Sequence, residues 1–246
     1  MIDQELREAI SAHALTEYPK ECCGLVVRGK YIPCRNVAAD PFADVALAPE
    51  DFAAAEDIGP IEAFVHSHPG STAEPTQADL TACENGDAPL WIIASLGVQS
   101  DGTIAVDDWC EFRPKGYDAP LVGCEFSHGV NDCYGLVRRW YRQRRGIILP
   151  DFPRDGKWWD DGKSDLYTTN YPQAGFESIP NDREPEIGDV VLMKIRSRNN
   201  VPNHAAVYVG SGKILHHLWG ELSRHDLLAR YREYVTHLLR YRGGNE

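Results

Sequence analysis

Residues 61–79 constrain the first half of this chain more than any other stretch. Ile61-Glu-Ala-Phe-Val65 is an apolar run that leads into His66-Ser67-His68-Pro69-Gly70, and Pro75-Thr76-Gln-Ala-Asp79 follows shortly after. The run is short, apolar and bounded by proline and glycine, so it reads as a buried strand. Side chains two apart on a strand face the same way, roughly 7 Å apart along the backbone. His66 and His68 therefore project together at the strand's end. Two imidazoles at that spacing can converge on one metal at about 2.0–2.1 Å from each nitrogen. Pro75 to Asp79 reads as a helix start, which puts the Asp79 carboxylate in the first turn, where it can return as a third ligand. Two histidines, one carboxylate and an open position form the donor set of a catalytic zinc site, whereas structural zinc sites fill all four positions with protein.

A His-x-His pair alone is often incidental, and its surroundings give it meaning. His66-x-His68, seven residues, Thr76, two residues and Asp79 resemble the signature of the JAMM/Mov34 metalloproteases, which has serine where Thr76 stands. That family's catalytic glutamate lies in Pro-x-Glu-x-Cys-Gly, matched here by Pro19-Lys-Glu21-Cys-Cys-Gly24. The resemblance implies His66, His68 and Asp79 as zinc ligands and Glu21 as general base toward zinc-bound water. It leaves the Thr76 hydroxyl in the polarising position. Such a base needs only hydrogen-bond reach to the water. Without the resemblance, Glu21 reads as a solvated residue at a strand entrance.

At 246 residues the chain is long enough for one or two domains, and with 43% hydrophobic residues each half can bury its own core. A net charge of −12 repels phosphate and argues against a nucleic-acid binder. No apolar run approaches the length of a membrane helix, so no membrane insertion is expected. The acidic, amphipathic start Met-Ile-Asp-Gln-Glu-Leu-Arg-Glu is unlike a secretory signal, which places the chain's origin in the cytoplasm. Seven cysteines without framework spacing suit reduced thiols. Six of them, Cys22, Cys23, Cys34, Cys83, Cys110 and Cys124, read as small buried residues.

In chain order, 3–17 reads as a helix with Leu6, Ile10 and Ala14 on one stripe. A strand at 23–28, a turn at Gly29-Lys30 and a strand at 31–37 follow. Then come a helix at 49–56, the histidine strand, a helix from Asp79 to Asn85-Gly86, a buried strand at 89–95 and a weaker hairpin at 102–112. Arg113-Pro-Lys-Gly-Tyr-Asp-Ala-Pro120 lacks apolar periodicity and reads as a linker.

The second half centres on Asn131-Asp-Cys133-Tyr-Gly-Leu-Val137. Leu136, Val137, Trp140 and Tyr141 recur at helical spacing, with Asn131 or Asp132 as N-cap. Cys133 then lies in the first turn, where the positive helix end can lower a thiol pKa from about 8.5 into roughly the 3.5–7.5 range. The arginines at 138, 139, 142, 144 and 145 read as a solvated basic face. A lone cysteine needs a base. Asn203-His204-Ala-Ala-Val-Tyr-Val209, Gly-Ser-Gly-Lys213 and Ile-Leu-His216-His217 form a strand, a turn and a returning strand. Taken with Asp132-Cys133-x-Gly-Leu, this order resembles the NlpC/P60 cysteine peptidases, a papain-like family. The resemblance implies Cys133 as nucleophile, His204 as general base and His216 as the residue that orients His204. Strand parity leaves a choice. A two-residue hairpin loop would put His217 on the His204 face, and a three-residue loop would put His216 there. Alignment with the family favours His216. The aromatics Trp158, Trp159, Tyr167, Tyr171 and Phe176 could line a groove, though local core is the simpler reading. His128, His225 and His237 read as structural, 222–234 as a closing helix and 235–241 as a last strand.

The expected fold is mixed α/β. Residues 1–112 would form a JAB1/MPN-like curved sheet with helices, 113–120 a linker, and 121–246 a papain-like NlpC/P60 domain. The two modules in this order resemble the tail tip assembly proteins of lambda-like long-tailed phages. That resemblance implies a bifunctional hydrolase that meets other tail tip proteins, in the host cytoplasm during assembly and at the virion tail tip. It implies peptidoglycan stem peptides as a further substrate class. One alternative is a non-enzymatic assembly factor or plug with one or both sites vestigial. The full set of catalytic residues argues against it, while Thr76 leans toward it. A free bacterial wall peptidase is a second alternative, and the missing secretory signal speaks against it.

Overall fold

Asp3 starts the first helix. Its carboxylate accepts a hydrogen bond from the Leu6 amide (2.9 Å) and so caps α1 (Gln4–Glu17). Ile10 and Ala14, a turn apart, are fully buried on one face of this helix. The chain then forms β1 (Cys23–Val27) and β2 (Lys30–Cys34), joined through Arg28 and Gly29, both with positive φ (51° and 69°). This two-residue loop matches the twist of the strands, and it lies one residue earlier than the sequence suggests. Pro49 opens α2 (Pro49–Ile58). β3 (Ile61–Pro69), α3 (Gln77–Asn85) and β4 (Trp91–Val98) form a crossover unit, because β3 and β4 pair in parallel and parallel strands need such a connection. β5 (Ile104–Phe112) is one continuous strand antiparallel to β4, where the sequence suggested a small hairpin of its own.

The computed structural model describes residues 2–154 and 156–243. It divides into two units, Met1–Asp118 and Ala119–Glu246, and the division falls inside the proline- and glycine-rich segment 113–120. The first unit is a five-stranded sheet in the order β2-β1-β3-β4-β5. Alternation along β3 decides what each face carries. Ala63 and Val65 join Ile10, Val26, Ile92 and Ala94 on the α1 face. Phe64 packs with Trp91, Ile93 and Cys83 on the α3 face. His66 and His68 share the parity of Phe64, so they open toward α3.

The second unit begins with α4 (Cys133–Arg145) and the short α5 (Leu166–Asn170). The strands β6 (Phe176–Ile179), β7 (Val190–Met193), β8 (His204–Gly210), β9 (Lys213–His216), β10 (Arg224–Leu227) and β11 (Val235–Tyr241) complete it. They form an antiparallel sheet in the order β10-β9-β8-β7-β11-β6. Leu136, Val137, Trp140 and Tyr141 press one face of α4 onto Val190, Leu192, Ala205, Val207 and Leu215. Each such buried side chain contributes about 1.5–3 kcal/mol. Two expectations fail here. Residues 222–234 are a strand and a 3-10 turn, not a helix. Arg139 is buried, not solvated, and donates to the Asn131 side-chain oxygen (2.6 Å).

Gly24 is held to a hydrogen side chain by its neighbours on β2. A Cβ there would lie 2.5 Å from the Tyr31 hydroxyl and 2.6 Å from the Ile32 carbonyl oxygen. Gly24→Ala is expected to destabilise the first unit by about 1–3 kcal/mol, read as a lower urea midpoint. An unchanged midpoint would mean that β1 and β2 leave room for a methyl group at this position.

Candidate functional site

In the first unit, the strand end and the helix start bring three donors together. His66 Nε2 lies 3.1 Å from His68 Nε2 and 3.1 Å from Asp79 Oδ1, and His68 Nε2 lies 3.5 Å from Asp79 Oδ2. All three residues are buried, and their donor atoms are close enough to hold a metal ion. The His68 Nδ1 faces the Thr72 carbonyl at 2.8 Å. A carbonyl only accepts, so Nδ1 carries the proton and Nε2 keeps its lone pair for the site. Burial alone would raise the Asp79 carboxyl, but the His66 and His68 imidazoles beside it outweigh burial and hold the group ionised, well below the usual carboxylate range.

Thr76 is the N-cap of α3. Its hydroxyl accepts from the Asp79 amide (3.1 Å) and donates to Asp79 Oδ2 (2.8 Å), and the Thr76 amide donates to the same oxygen (2.7 Å). This reciprocal capping box fixes the carboxylate's orientation. It also commits the hydroxyl to Asp79, so its geometry suits aiming a ligand more directly than polarising a substrate carbonyl. Glu21 precedes β1. Its amide donates to Pro41 (2.8 Å) and its carbonyl accepts from the Asn36 side chain (3.0 Å). The following residue, Cys22, pairs with Ser67, between the two histidines: its amide donates to the Ser67 hydroxyl (2.8 Å), and its carbonyl accepts the Ser67 amide (3.1 Å). The Glu21 carboxyl is buried, not solvated. Burial lifts it from 4.5 to about 6, with His66 and His68 pulling the other way.

In the second unit, Asp132 caps α4 by accepting from the Gly135 amide (2.8 Å), and Cys133 follows in the first turn. Arg154 Nε donates to Asp132 Oδ2 (2.6 Å), which ties the long segment after α4 to the helix start. The Cys133 sulfur lies 3.1 Å from the Tyr167 hydroxyl and accepts from the Ala205 amide. The thiol is not lowered, as the helix end alone would suggest. Burial, then the adjacent Asp132 charge, pushes it up to about 11.

His204 Nε2 lies 3.1 Å from His216 Nδ1, and His216 Nε2 lies 3.1 Å from Asp226 Oδ2. His217 turns away, its Nε2 facing the Glu221 carbonyl at 2.9 Å. An irregularity in strand pairing brings His216, not His217, to the His204 face. Gly210 pairs with Lys213 around a two-residue loop, yet Ala206 pairs with His216, because a bulge lies between Tyr208 and Gly210. The extra residue reverses the parity that such a loop would otherwise impose. Burial, then His216 and His217, drops His204 to about 3, so it is neutral at rest.

Cys133 and His204 line one cavity of about 480 Å3, together with Trp158, Trp159, Tyr167 and Trp219. Among the described residues the thiol hydrogen-bonds Tyr167 and Ala205, not His204. Asp226 was missed as a site residue from sequence, and Tyr167 was named only among the aromatics that could line a groove. Nothing local marks Tyr167. Nor does anything local mark Asp226, which reaches His216 only because β10 pairs with β9.

Residues 3–109 match the family described as prokaryotic homologs of the JAB domain, and residues 123–240 match the NlpC/P60 family. Over 251 residues the chain is 38% identical to tail tip assembly protein K of Escherichia phage N15, covering 99% of this chain and 98% of that protein. It is also 38% identical over 194 residues to tail tip assembly protein K of Escherichia phage lambda, covering 78% of this chain and 87% of that one. A crystal structure of a lipoprotein-like NLP/P60 family protein from Staphylococcus aureus aligns with 49% of this chain and 37% of its own at 18% identity and a TM-score of 0.34, too slight a likeness to add to these matches. With a JAB-like unit followed by an NlpC/P60 unit, and near-complete coverage in both directions, the chain belongs to the family of tail tip assembly protein K.

Proposed function

We propose that the chain is a bifunctional hydrolase of phage tail tip assembly, a zinc peptidase or isopeptidase in its first unit and a cysteine endopeptidase in its second. The observation that carries the reading is that each unit gathers a chemically complete set of side chains from distant elements. Two adjacent pairs of buried imidazoles are expensive to desolvate and unnecessary for packing.

For the first unit, the donor spacing supports zinc. Two ligands at about 2.0–2.1 Å from a tetrahedral ion are about 3.3–3.4 Å apart. The His66–His68 and His66–Asp79 Oδ1 separations, both 3.1 Å, lie close to that value. His66, His68 and Asp79 would hold the ion. When bound, zinc supplies Lewis acidity and acidifies water near neutral pH. Glu21, with a pKa near 6, is ionised at neutral pH and still basic enough to accept a proton. Thr76 keeps Asp79 aimed.

For the second unit, the Cys133 thiol attacks a substrate carbonyl while its proton passes to His204. The same imidazole then returns the proton to the leaving amine, and water later releases the acyl group. Thiol and imidazole are both neutral at rest, so proton transfer accompanies attack. Candidate substrates are tail proteins undergoing maturation and peptidoglycan stem peptides. The protein would meet them in the host cytoplasm during assembly or at the virion tail tip. A non-enzymatic assembly role draws on one observation, the commitment of the Thr76 hydroxyl to Asp79.

Purified tail proteins and peptidoglycan, each incubated with wild type, Glu21→Gln and Cys133→Ala, should give cleavage products that mass spectrometry divides into two sets, one lost in each variant. If wild type cuts neither substrate, the assembly-factor reading replaces this one. Metal analysis should find about one zinc per chain, absent in His68→Ala. Zinc affinity should fall about 10–100-fold in Thr76→Ala and stay near wild type in Thr76→Ser. Equal affinity in all three would remove the aiming role.

Glu21 also predicts a pH-dependent stability. Its folded pKa lies above 4.5, so the fold favours the protonated form. That contribution is fully present below about pH 4.5 and is lost as pH rises through about 6, where the buried charge costs about 2 kcal/mol. In chelator-treated protein, Glu21→Gln should gain about 2 kcal/mol near neutral pH and nothing near pH 4. A gain of equal size at both pH values would show that ionisation is not its source.

A further inference from the structure

The second unit contains a carboxylate beyond the nucleophile, base and orienting residue of the proposed peptidase. Asp226, on β10, lies beside β9, and its Oδ2 is approached by three groups: His216 Nε2 (3.1 Å), Arg224 Nε (3.0 Å) and the Tyr231 hydroxyl (3.0 Å). The guanidinium can only donate. Desolvation alone would raise the Asp226 carboxyl, but hydrogen bonds from Arg224, His216 and Tyr231 hold it down to about 2. It is therefore an ionised, acceptor-only group near neutral pH.

Its ionisation fixes the protons of two rings in turn. His216 is fully buried, and its ring packs edge-on against Tyr231 at 4.9 Å between centroids. A neutral imidazole has one donor nitrogen and one acceptor nitrogen. Facing a carboxylate, His216 Nε2 must carry the hydrogen, so His216 Nδ1 is an acceptor. The atom opposite it, 3.1 Å away, is His204 Nε2, which must then be the donor. His204 Nδ1 is left with the lone pair. His204 itself lines the cavity that holds Cys133.

We propose that Asp226 is a positioning residue that acts through His216 to lock His204 in the Nε2–H tautomer, leaving Nδ1 as the basic nitrogen for the Cys133 proton. Without the carboxylate, His216 can place its hydrogen on Nδ1 and donate to His204 Nε2. His204 then carries its hydrogen on Nδ1 and can no longer accept one there. The inference rests on the cysteine peptidase reading for its catalytic meaning, but the tautomers are a property of the folded protein without substrate.

Two measurements on the full chain test it. Long-range proton–nitrogen NMR of 15N-labelled protein near neutral pH should show both His204 and His216 protonated on Nε2. In Asp226→Ala, His204 should shift toward the Nδ1–H form, and Asp226→Glu should restore the wild-type pattern. Cys133 alkylation by iodoacetamide, quantified by mass spectrometry, should slow about tenfold or more in Asp226→Ala and recover in Asp226→Glu. A wild type with His204 protonated on Nδ1 overturns the proposal, and this result needs no variant to fold. Unchanged tautomers and alkylation in Asp226→Ala overturn it too. If wild type shows the stated tautomers but cleaves no peptide, the relay stands and the peptidase reading fails.

Discussion

Both candidate sites are built on the same requirement, that the first amides of a helix must find acceptors. An α-helix leaves its leading N–H groups without internal partners, and a capping side chain recovers about 0.5–2 kcal/mol. In α3 the requirement is met by Thr76 and Asp79 reciprocally, and the capping box uses Asp79 Oδ2 while Oδ1 faces His66. One carboxylate thus serves the helix through Oδ2, which also lies 3.5 Å from His68 Nε2, and meets His66 through Oδ1. In α4 it is met by Asp132, which fixes the helix to begin at Cys133. The position of each reactive group within its helix therefore follows from local capping. The imidazoles that complete each site come from the sheets.

The same device explains why the cysteine departs from the simple expectation for a helix start. A thiol in the first turn gains from the helix dipole, but that effect weakens within one turn and competes with whatever caps the helix. Here the cap carries a negative charge, and the thiol is enclosed by Tyr167 and the Ala205 backbone. Burial and Asp132 act in the same direction, against ionisation, and together they exceed the dipole. Arg154 compensates Asp132 more than it helps the sulfur, since its guanidinium hydrogen-bonds the carboxylate directly.

What the sequence made legible was what depends on short-range geometry. Alternation put His66 and His68 on one face, and proline, threonine and aspartate at helix-start spacing put Asp79 beneath them. The Asp132-Cys133 cap was legible for the same reason. What stayed hidden depends on register between distant strands. A loop length alone does not decide between His216 and His217, because the bulge after Tyr208 is invisible until β8 and β9 are paired. Asp226 was concealed by the helix-favouring Leu-Leu-Ala-Arg run beside it, although pairing with β9 overrides that propensity and makes 224–227 a strand. Tyr167 reaches Cys133 from a short helix 34 residues downstream, and no local pattern signals it.

The neutral resting state of the cysteine site follows from desolvation acting on two groups of opposite charge type. Withdrawing water raises an acid that ionises to an anion and lowers a base that protonates to a cation. Cys133 at about 11 and His204 at about 3 are the two sides of that one effect. An ion pair between them would lose solvation on both partners, and their mutual attraction would have to exceed both losses. On the proposed peptidase reading, a bound carbonyl would change this balance, because the negative charge would move from sulfur to the carbonyl oxygen. The 480 Å3 cavity beside the thiol has room for such a group. On that same reading, a site of this kind stays inert toward solvent and gains reactivity only when a substrate supplies the acceptor for the charge.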